Sequence, residues 1–199
     1  MIIGVLNIKG GVGKTTTSIA LSTAIYRSGK DVTIFDTDPQ GSATLWSQAA
    51  EDNGDALPFD VLSKNQVEIR RLGSHRPDKN GQVIVIDTPP SGDVINEVIK
   101  VSDFVIIPST SSPVDLQQTL LTCASCQDQG KEYAVLIVMA RKGTTTLDAF
   151  RTAVEKSGAG IFDAEIPLKE VFKGDFGHSF PSNLQGYEDV WREIQEVEA

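Results

Sequence analysis

The chain has 199 residues, enough for one domain that buries roughly 70% of its unfolded surface and needs no disulfide or metal to hold it together. Hydrophobic residues make up 40% and charged residues 23%, an ordinary balance for a globular protein, and no apolar run approaches the roughly 18 residues of a membrane span. A net charge of -9 excludes a protein that coats DNA by charge alone, though not one with a local basic face.

Met1 leads directly into IIGVLNI with no basic n-region and no cleavage pattern, so no signal peptide is read and a cytoplasmic location is expected. IIGVLNI itself is short, apolar and rich in β-branched residues, a buried strand. After a glycine-rich turn, TTTSIALSTAIYRS sets Ile19, Ala20, Thr23 and Ala24 at helical spacing, with Gly29 as the stop. DVTIFD reads as a second strand, GSATLWSQAA as a helix, PFDVL as a third strand and NQVEIRRL as a short helix. RPDKNG is a turn. QVIVIDTPP is a strongly apolar strand that ends at Asp87 and is stopped by two prolines. VINEVIKV (helix), DFVIIP (strand), PVDLQQTLLTCASCQDQG (helix), YAVLIVMA (strand) and LDAFRTAVEKSG (helix) follow. IFDAEIP is the last strand and GYEDVWREIQEVE the closing helix. Strands apolar on both faces that alternate with helices predict a doubly wound, mostly parallel α/β sheet with helices on both faces. A single domain over 1–199 is expected, because no linker or repeat interrupts the pattern.

In such a sheet, ligands bind beyond the carboxyl ends of the strands. The stretch after the first strand, NIKGGVGKTTT, is the most informative. Gly10, Gly11 and Gly13, with Val12 between them, let backbone N–H groups wrap a phosphate chain. The helix that begins at Lys14, Thr15 and Thr16 adds its positive end. Lys14 is placed to reach β- and γ-phosphates and the Thr15 hydroxyl to ligate Mg²⁺. A plain glycine-rich turn accounts for neither residue in register. The pattern departs from G-x-x-x-x-G-K-[ST] in one place: Ile8 stands where the first glycine belongs, and Lys9 follows it. Lys9 has the wrong place to cradle the phosphates that Lys14 holds, but a lysine at the mouth of the loop suits a neighbouring subunit.

Asp87, at a strand end, fits the carboxylate that supports Mg²⁺ through water. Asp36 and Asp38, two residues apart after the second strand, are expected to point to one side, where one carboxylate orients the attacking water. The other reading of this pair is an Asx-turn or a helix cap, since Pro39-Gln40-Gly41 looks like a turn.

KGGVGKTT with Lys9 at its head, DTDPQGSAT and VIVIDTPP together resemble the ParA/MinD family of deviant Walker ATPases. The likeness is greatest to the small plasmid-partition members without an N-terminal DNA-binding domain, and it runs from Met1 through IPSTSSPVDLQ to EIPLKEVF. The extra lysine and the missing glycine are that family's own pattern. The resemblance implies a homodimer that sandwiches ATP and Mg²⁺, with Lys9 reaching the phosphates bound by the partner subunit. It implies that Asp38 positions the water and that Asp87 supports Mg²⁺; Asp36 beside them is expected in the outer shell of the metal. It also implies that Arg141 and Pro167 contact the base, adenine by family habit. The expected task is DNA partition, most simply of a plasmid. The ATP dimer would bind non-specific DNA on the nucleoid, and a ParB-like centromere-binding adaptor would stimulate hydrolysis and release it. A spatial regulator of other cargo or at a membrane, and an iron–sulfur or metal carrier on the same fold, are the alternatives.

Three further features bear on those alternatives. Tyr187, Val190, Trp191, Ile194 and Val197 form an apolar stripe, but the same helix carries Glu188, Asp189, Glu193 and Glu196, which anionic lipid repels. A helix docked on its own sheet is therefore expected, with no membrane partner. Cys123 and Cys126 form a C-x-x-C pair well inside a helix, away from the loops and helix ends that suit metal or redox pairs, and are read as structural. Arg70, Arg71, Arg76 and Lys79, and then Lys169 and Lys173, are the candidate basic patches for DNA.

Overall fold

The computed structural model describes residues 1–74, 81–168 and 176–197. Arg76, Lys79, Lys169 and Lys173, four of the candidate DNA contacts, lie outside the described residues.

Seven strands form one sheet: β1 (Ile2–Val5), β2 (Val32–Asp36), β3 (Asp60–Ser63), β4 (Val83–Asp87), β5 (Phe104–Ser109), β6 (Glu132–Ala140) and β7 (Ile161–Pro167). The helices are α1 (Lys14–Arg27), α2 (Ser42–Asp52), α3 (Gln66–Ser74), α4 (Val94–Val101), α5 (Pro113–Asp128), α6 (Thr145–Lys156) and α7 (Tyr187–Val197). Strand order is β3-β2-β4-β1-β5-β6-β7, and every neighbouring pair is parallel, a stricter outcome than the mostly parallel sheet expected. The cause is the alternation itself: each strand through β6 is followed by a helical crossover, which returns the chain to the same end of the sheet.

Strand periodicity divides the core into two layers. Ile3 and Val5 of β1 join α1, α2 and α7 on one face, whereas Ile2 and Leu6 join α3, α4, α5 and α6 on the other. Gly4 between them allows α4 to approach, since a Cβ there would lie 2.7 Å from Ser102 Oγ and 2.9 Å from Val98 Cγ1. The strand expected over IIGVLNI ends at Val5, and Leu6 then donates to the Ile106 carbonyl before Asn7 turns the chain into the loop.

The closing helix is docked. Tyr187, Val190, Trp191 and Ile194 are buried against α1, and the Trp191 indole donates to Ser28 Oγ. Val197, the last residue of the expected stripe, is exposed. Cys123 and Cys126 likewise pack into the second core layer, where burial pushes both thiols up to about 12. Among the described residues, no helix is long and apolar enough to cross a membrane.

Candidate nucleotide-binding site

β1 lies at the point where the chain's winding reverses. The strands before β5 build one half of the sheet and those from β5 onward build the other, so the loops leaving β1 and its neighbours diverge and open a crevice. The glycine-rich loop fills that crevice. Gly11 and Gly13 have φ of 77° and 73°, left-handed values that a side chain disfavours, and a Cβ on Gly11 would point into open space. Gly13 is the residue before α1, which has no side-chain cap of its own, so its first N–H groups remain directed at the loop.

Asn7 anchors the loop from below and is fully buried. Its side-chain nitrogen donates to the Pro108 carbonyl and to Thr119 Oγ1, while its Oδ1 accepts from the Lys9 amide at 2.9 Å. The only sequence signal for this role is a polar residue at the end of an apolar strand. Lys14 then arches back over the loop, its Nζ donating to the Lys9 carbonyl at 2.8 Å. Burial lowers the Lys14 pKa, opposed by the charges of Asp87 and Asp38. Two of the expected carboxylates therefore share the field of this lysine.

Asp87 is fully buried at the end of β4. Its Oδ2 accepts from Thr15 Oγ1 at 2.8 Å and its Oδ1 from Ser18 Oγ at 2.9 Å. Desolvation pushes its carboxyl up to about 7, against the two hydroxyl donors. Ser18 was not singled out from the sequence, although it lies one helical turn beyond Lys14, on the same face. The pairing of a hydroxyl from the helix start with a buried carboxylate is the donor set that a hard divalent cation prefers. Together with the open cradle at Gly11, it fits a nucleotide phosphate chain and Mg²⁺. Thr15 and Asp87 would hold the cation shell, and Lys14 with the loop amides would hold the phosphates.

Asp36 and Asp38 have different hydrogen-bond partners. β2 ends at Asp36, so the spacing argument for an extended chain stops there. Asp36 is buried and accepts from the Asp38 amide, the Thr44 amide and Thr44 Oγ1. Asp38 is half-buried in the following turn and accepts from the Gln40 amide, an Asx-turn. The capping geometry held open by the sequence is thus present in both residues, and Asp38 also faces Lys14 electrostatically. An open cleft lined by Asp38, Lys64, Glu68, Pro89 and Asp93 leads to it.

Lys9 is half-exposed at the mouth of the loop, with its Nζ 3.7 Å from Asp115 Oδ1 at the start of α5. Asp115 is buried, its other oxygen taken by Thr110 Oγ1. Sequence reasoning did not find this partner, which lies more than a hundred residues along the chain. Arg141 follows β6 and Pro167 ends β7, where Ala140 and Pro167 are in register. They sit on the side of the loop opposite β2 and β4, so the base-side and water-side candidates flank the phosphate cradle. Arg70, by contrast, is held in a two-pronged pair with Glu97 at 3.2 and 3.3 Å, which weakens its case as a free DNA contact. Arg71 is exposed.

Known proteins resemble this chain in sequence and in fold. Residues 3–179 match the family model described as the CobQ/CobB/MinD/ParA nucleotide binding domain. The chain is 35% identical over 170 residues to "Maintenance of carboxysome distribution protein A" of Gloeobacter kilaueensis, which covers 83% of this chain and 76% of that protein. A shorter stretch of 61 residues is 49% identical to "Chromosome partitioning protein ParA" of Caulobacter vibrioides, covering 31% of this chain and 23% of that one. Among solved structures, an ATP complex of a McdA variant from Cyanothece superposes with a TM-score of 0.75 at 17% identity, covering 98% of this chain and 96% of that chain.

Proposed function

We propose, from the premise that the chain belongs to the CobQ/CobB/MinD/ParA family of nucleotide-binding domains, that it is an ATPase whose ATP-bound dimer positions a cargo. The observation that carries this reading is the disposition of the two lysines. Lys14 is folded back onto the loop, its Nζ on the Lys9 carbonyl, whereas the Lys9 side chain, five residues earlier, pairs with Asp115. A cation at the rim of one site that takes no part in its own cradle can, once released from Asp115, serve a second subunit's site. ATP and Mg²⁺ then complete an interface that hydrolysis dissolves, which is the logic of a switch. Asp38 orients the attacking water and Asp87 supports the cation. Arg141 and Pro167 hold the adenine.

The cargo is the finer question. The 35%-identical relative is named for carboxysome distribution, which supports spatial positioning of a large assembly. The likeness to a chromosome-partitioning protein supports the second reading, segregation of a plasmid or other DNA through a centromere-binding adaptor. Both readings use the ATP dimer's affinity for non-specific DNA as the track. A two-fold axis doubles whichever basic face it aligns, so a chain of net charge -9 can still present one.

Two variants test the reading. Lys14→Ala is expected to lose nucleotide affinity sharply. Lys9→Ala is expected to keep ADP affinity and to lose both hydrolysis and ATP-dependent dimerisation in light scattering. Equal loss of ADP affinity in the two variants would refute the cross-subunit role. DNA co-sedimentation should require ATP and weaken steeply with salt; binding that is equal with ADP would remove the track.

A further inference from the structure

The loop between β2 and α2 carries Asp38, and its two ends converge on a single side chain. Asp36, 1% exposed, accepts from the Asp38 amide through Oδ1 at 3.1 Å. Through Oδ2 it accepts from the Thr44 amide at 2.9 Å and Thr44 Oγ1 at 2.8 Å. Three of its four lone-pair directions are therefore spent on the loop and the helix behind it.

The helix needs this partner. α2 starts after Gly41, a left-handed residue with φ of 63° and no side chain with which to cap. The Thr44 N–H of its first turn would otherwise lack a partner within the helix. Asp36 supplies the cap from the end of the neighbouring strand, a negative charge at the positive end of the helix. The remaining bonds in the loop are local or lead to the sheet: Gly41 N–H donates to the Asp38 carbonyl, and Thr37 donates twice to the Asp87 carbonyl. Asp38's own carboxylate accepts from Gln40 inside the turn. The position of Asp38 is thus set from one side by Thr37, bonded to Asp87 at the end of β4, and from the other by Asp36.

We infer that Asp36 is a positioning residue for hydrolysis: it clamps the Asp38 amide and Thr44 so that the Asp38 carboxylate is held at a fixed distance from the phosphate cradle. The inference rests on the reading of Asp38 as the group that orients water. It assigns Asp36 to the loop and to Thr44, while its charge still reaches Asp87.

The test uses the full chain with ATP and Mg²⁺. Asp36→Asn keeps the size of the side chain but turns one of its two acceptor oxygens into an amide donor, so that either the Asp38 N–H or the Thr44 N–H loses its acceptor. It is expected to lower turnover about ten- to hundredfold, the range for a displaced catalytic group, with ADP affinity within about twofold of the parent. Amide exchange should accelerate at Asp38 and Thr44 and stay unchanged in α1, a pattern that general destabilisation does not give. Thr44→Val removes the hydroxyl donor alone and should lower turnover several-fold, with Thr44→Ser restoring it; this pair decides the matter if Asp36→Asn does not fold. Parallel losses of ADP affinity and turnover in Asp36→Asn would return the residue to the nucleotide or its metal and overturn the inference. Parental turnover in both Asp36→Asn and Thr44→Val would also overturn it. The control is Asp38→Ala. If it turns over like the parent, the water-orienting reading falls and takes this inference with it. If it is inactive while Asp36→Asn and Thr44→Val are not, only the inference falls.

Discussion

Replacing Asp115 by Asn should strengthen the ATP-bound dimer, because the resting chain holds Lys9 on that carboxylate. The Nζ–Oδ1 separation is 3.7 Å, with the Lys9 side chain 39% and the Asp115 side chain 10% exposed. At an effective dielectric of about 20, the gross attraction at that distance is about 4.5 kcal/mol. Most of it is offset by solvent around the lysine and by the desolvation already imposed on the carboxylate, leaving about 1 kcal/mol. Lys9 must leave Asp115 to reach a partner's phosphates, and a dimer breaks two such pairs. The variant should therefore tighten dimerisation by about 2 kcal/mol, roughly 30-fold. The Thr110 hydroxyl still finds an acceptor on Asn, so the fold should lose about 1–2 kcal/mol, from the Lys9 pair itself and from the weaker charge at the start of α5. Sedimentation equilibrium with ATP and Mg²⁺, in an Asp38→Ala background to prevent turnover, measures the constant directly. Dimerisation unchanged or weakened in Asp115→Asn, with ADP affinity intact, would refute the reasoning and make Asp115 a support for Lys9 in the dimer.

Asp87 gives the nucleotide-free chain a pH dependence of known sign. Burial raises its carboxyl from the ordinary 3.8 to about 7, so the folded state binds the proton more tightly than the unfolded state. Its contribution to stability is present in full below about 3.8 and is lost as pH rises through about 7, a loss of a few kcal/mol at most. Thermal melts at pH 5.5 and 7.5 (about the range of interest) should show a decline that Asp87→Asn flattens; an identical slope in the variant would contradict the assignment. Cys123→Ser with Cys126→Ser should retain nucleotide binding and lose about 1–3 kcal/mol for each hydroxyl buried without a partner, read from denaturant melts. Stoichiometric zinc or iron in the parent, absent from the double variant, would instead make the pair a metal site. Tyr187→Phe removes the 3.0 Å hydrogen bond between the buried Tyr187 hydroxyl and Thr17 Oγ1, costing about 1 kcal/mol. The melting temperature should fall by about 2–4 °C with ADP affinity unchanged, and a loss of affinity would mean that α7 acts on the phosphate-loop helix.

The sequence by itself determined the elements and the phosphate cradle, because both depend on short-range chemistry. Two-sided apolar strands, helical spacing and the stops at Gly29 and Pro89-Pro90 lie within a few residues of the structures they specify. The loop's glycines, Lys14 and Thr15 stand next to one another at the start of α1. Asp87 was legible for the same reason, as the last residue of an apolar run. What only the tertiary structure decided is every relation that crosses the sheet. Asp36 was read with Asp38 because they are two apart, yet its bonds also go to Thr44 on the next helix, since the strand ends at Asp36 and the chain turns. Lys9 could be seen as an outlier, but Asp115 reaches it only because β5 lies beside β1 and α5 starts at the same end of the sheet. Arg70 read as a free cation until α4 placed Glu97 against it. Local periodicity carries no information about which strand ends become neighbours. Strand order sets that, and strand order follows from how the helices pack once the chain has collapsed.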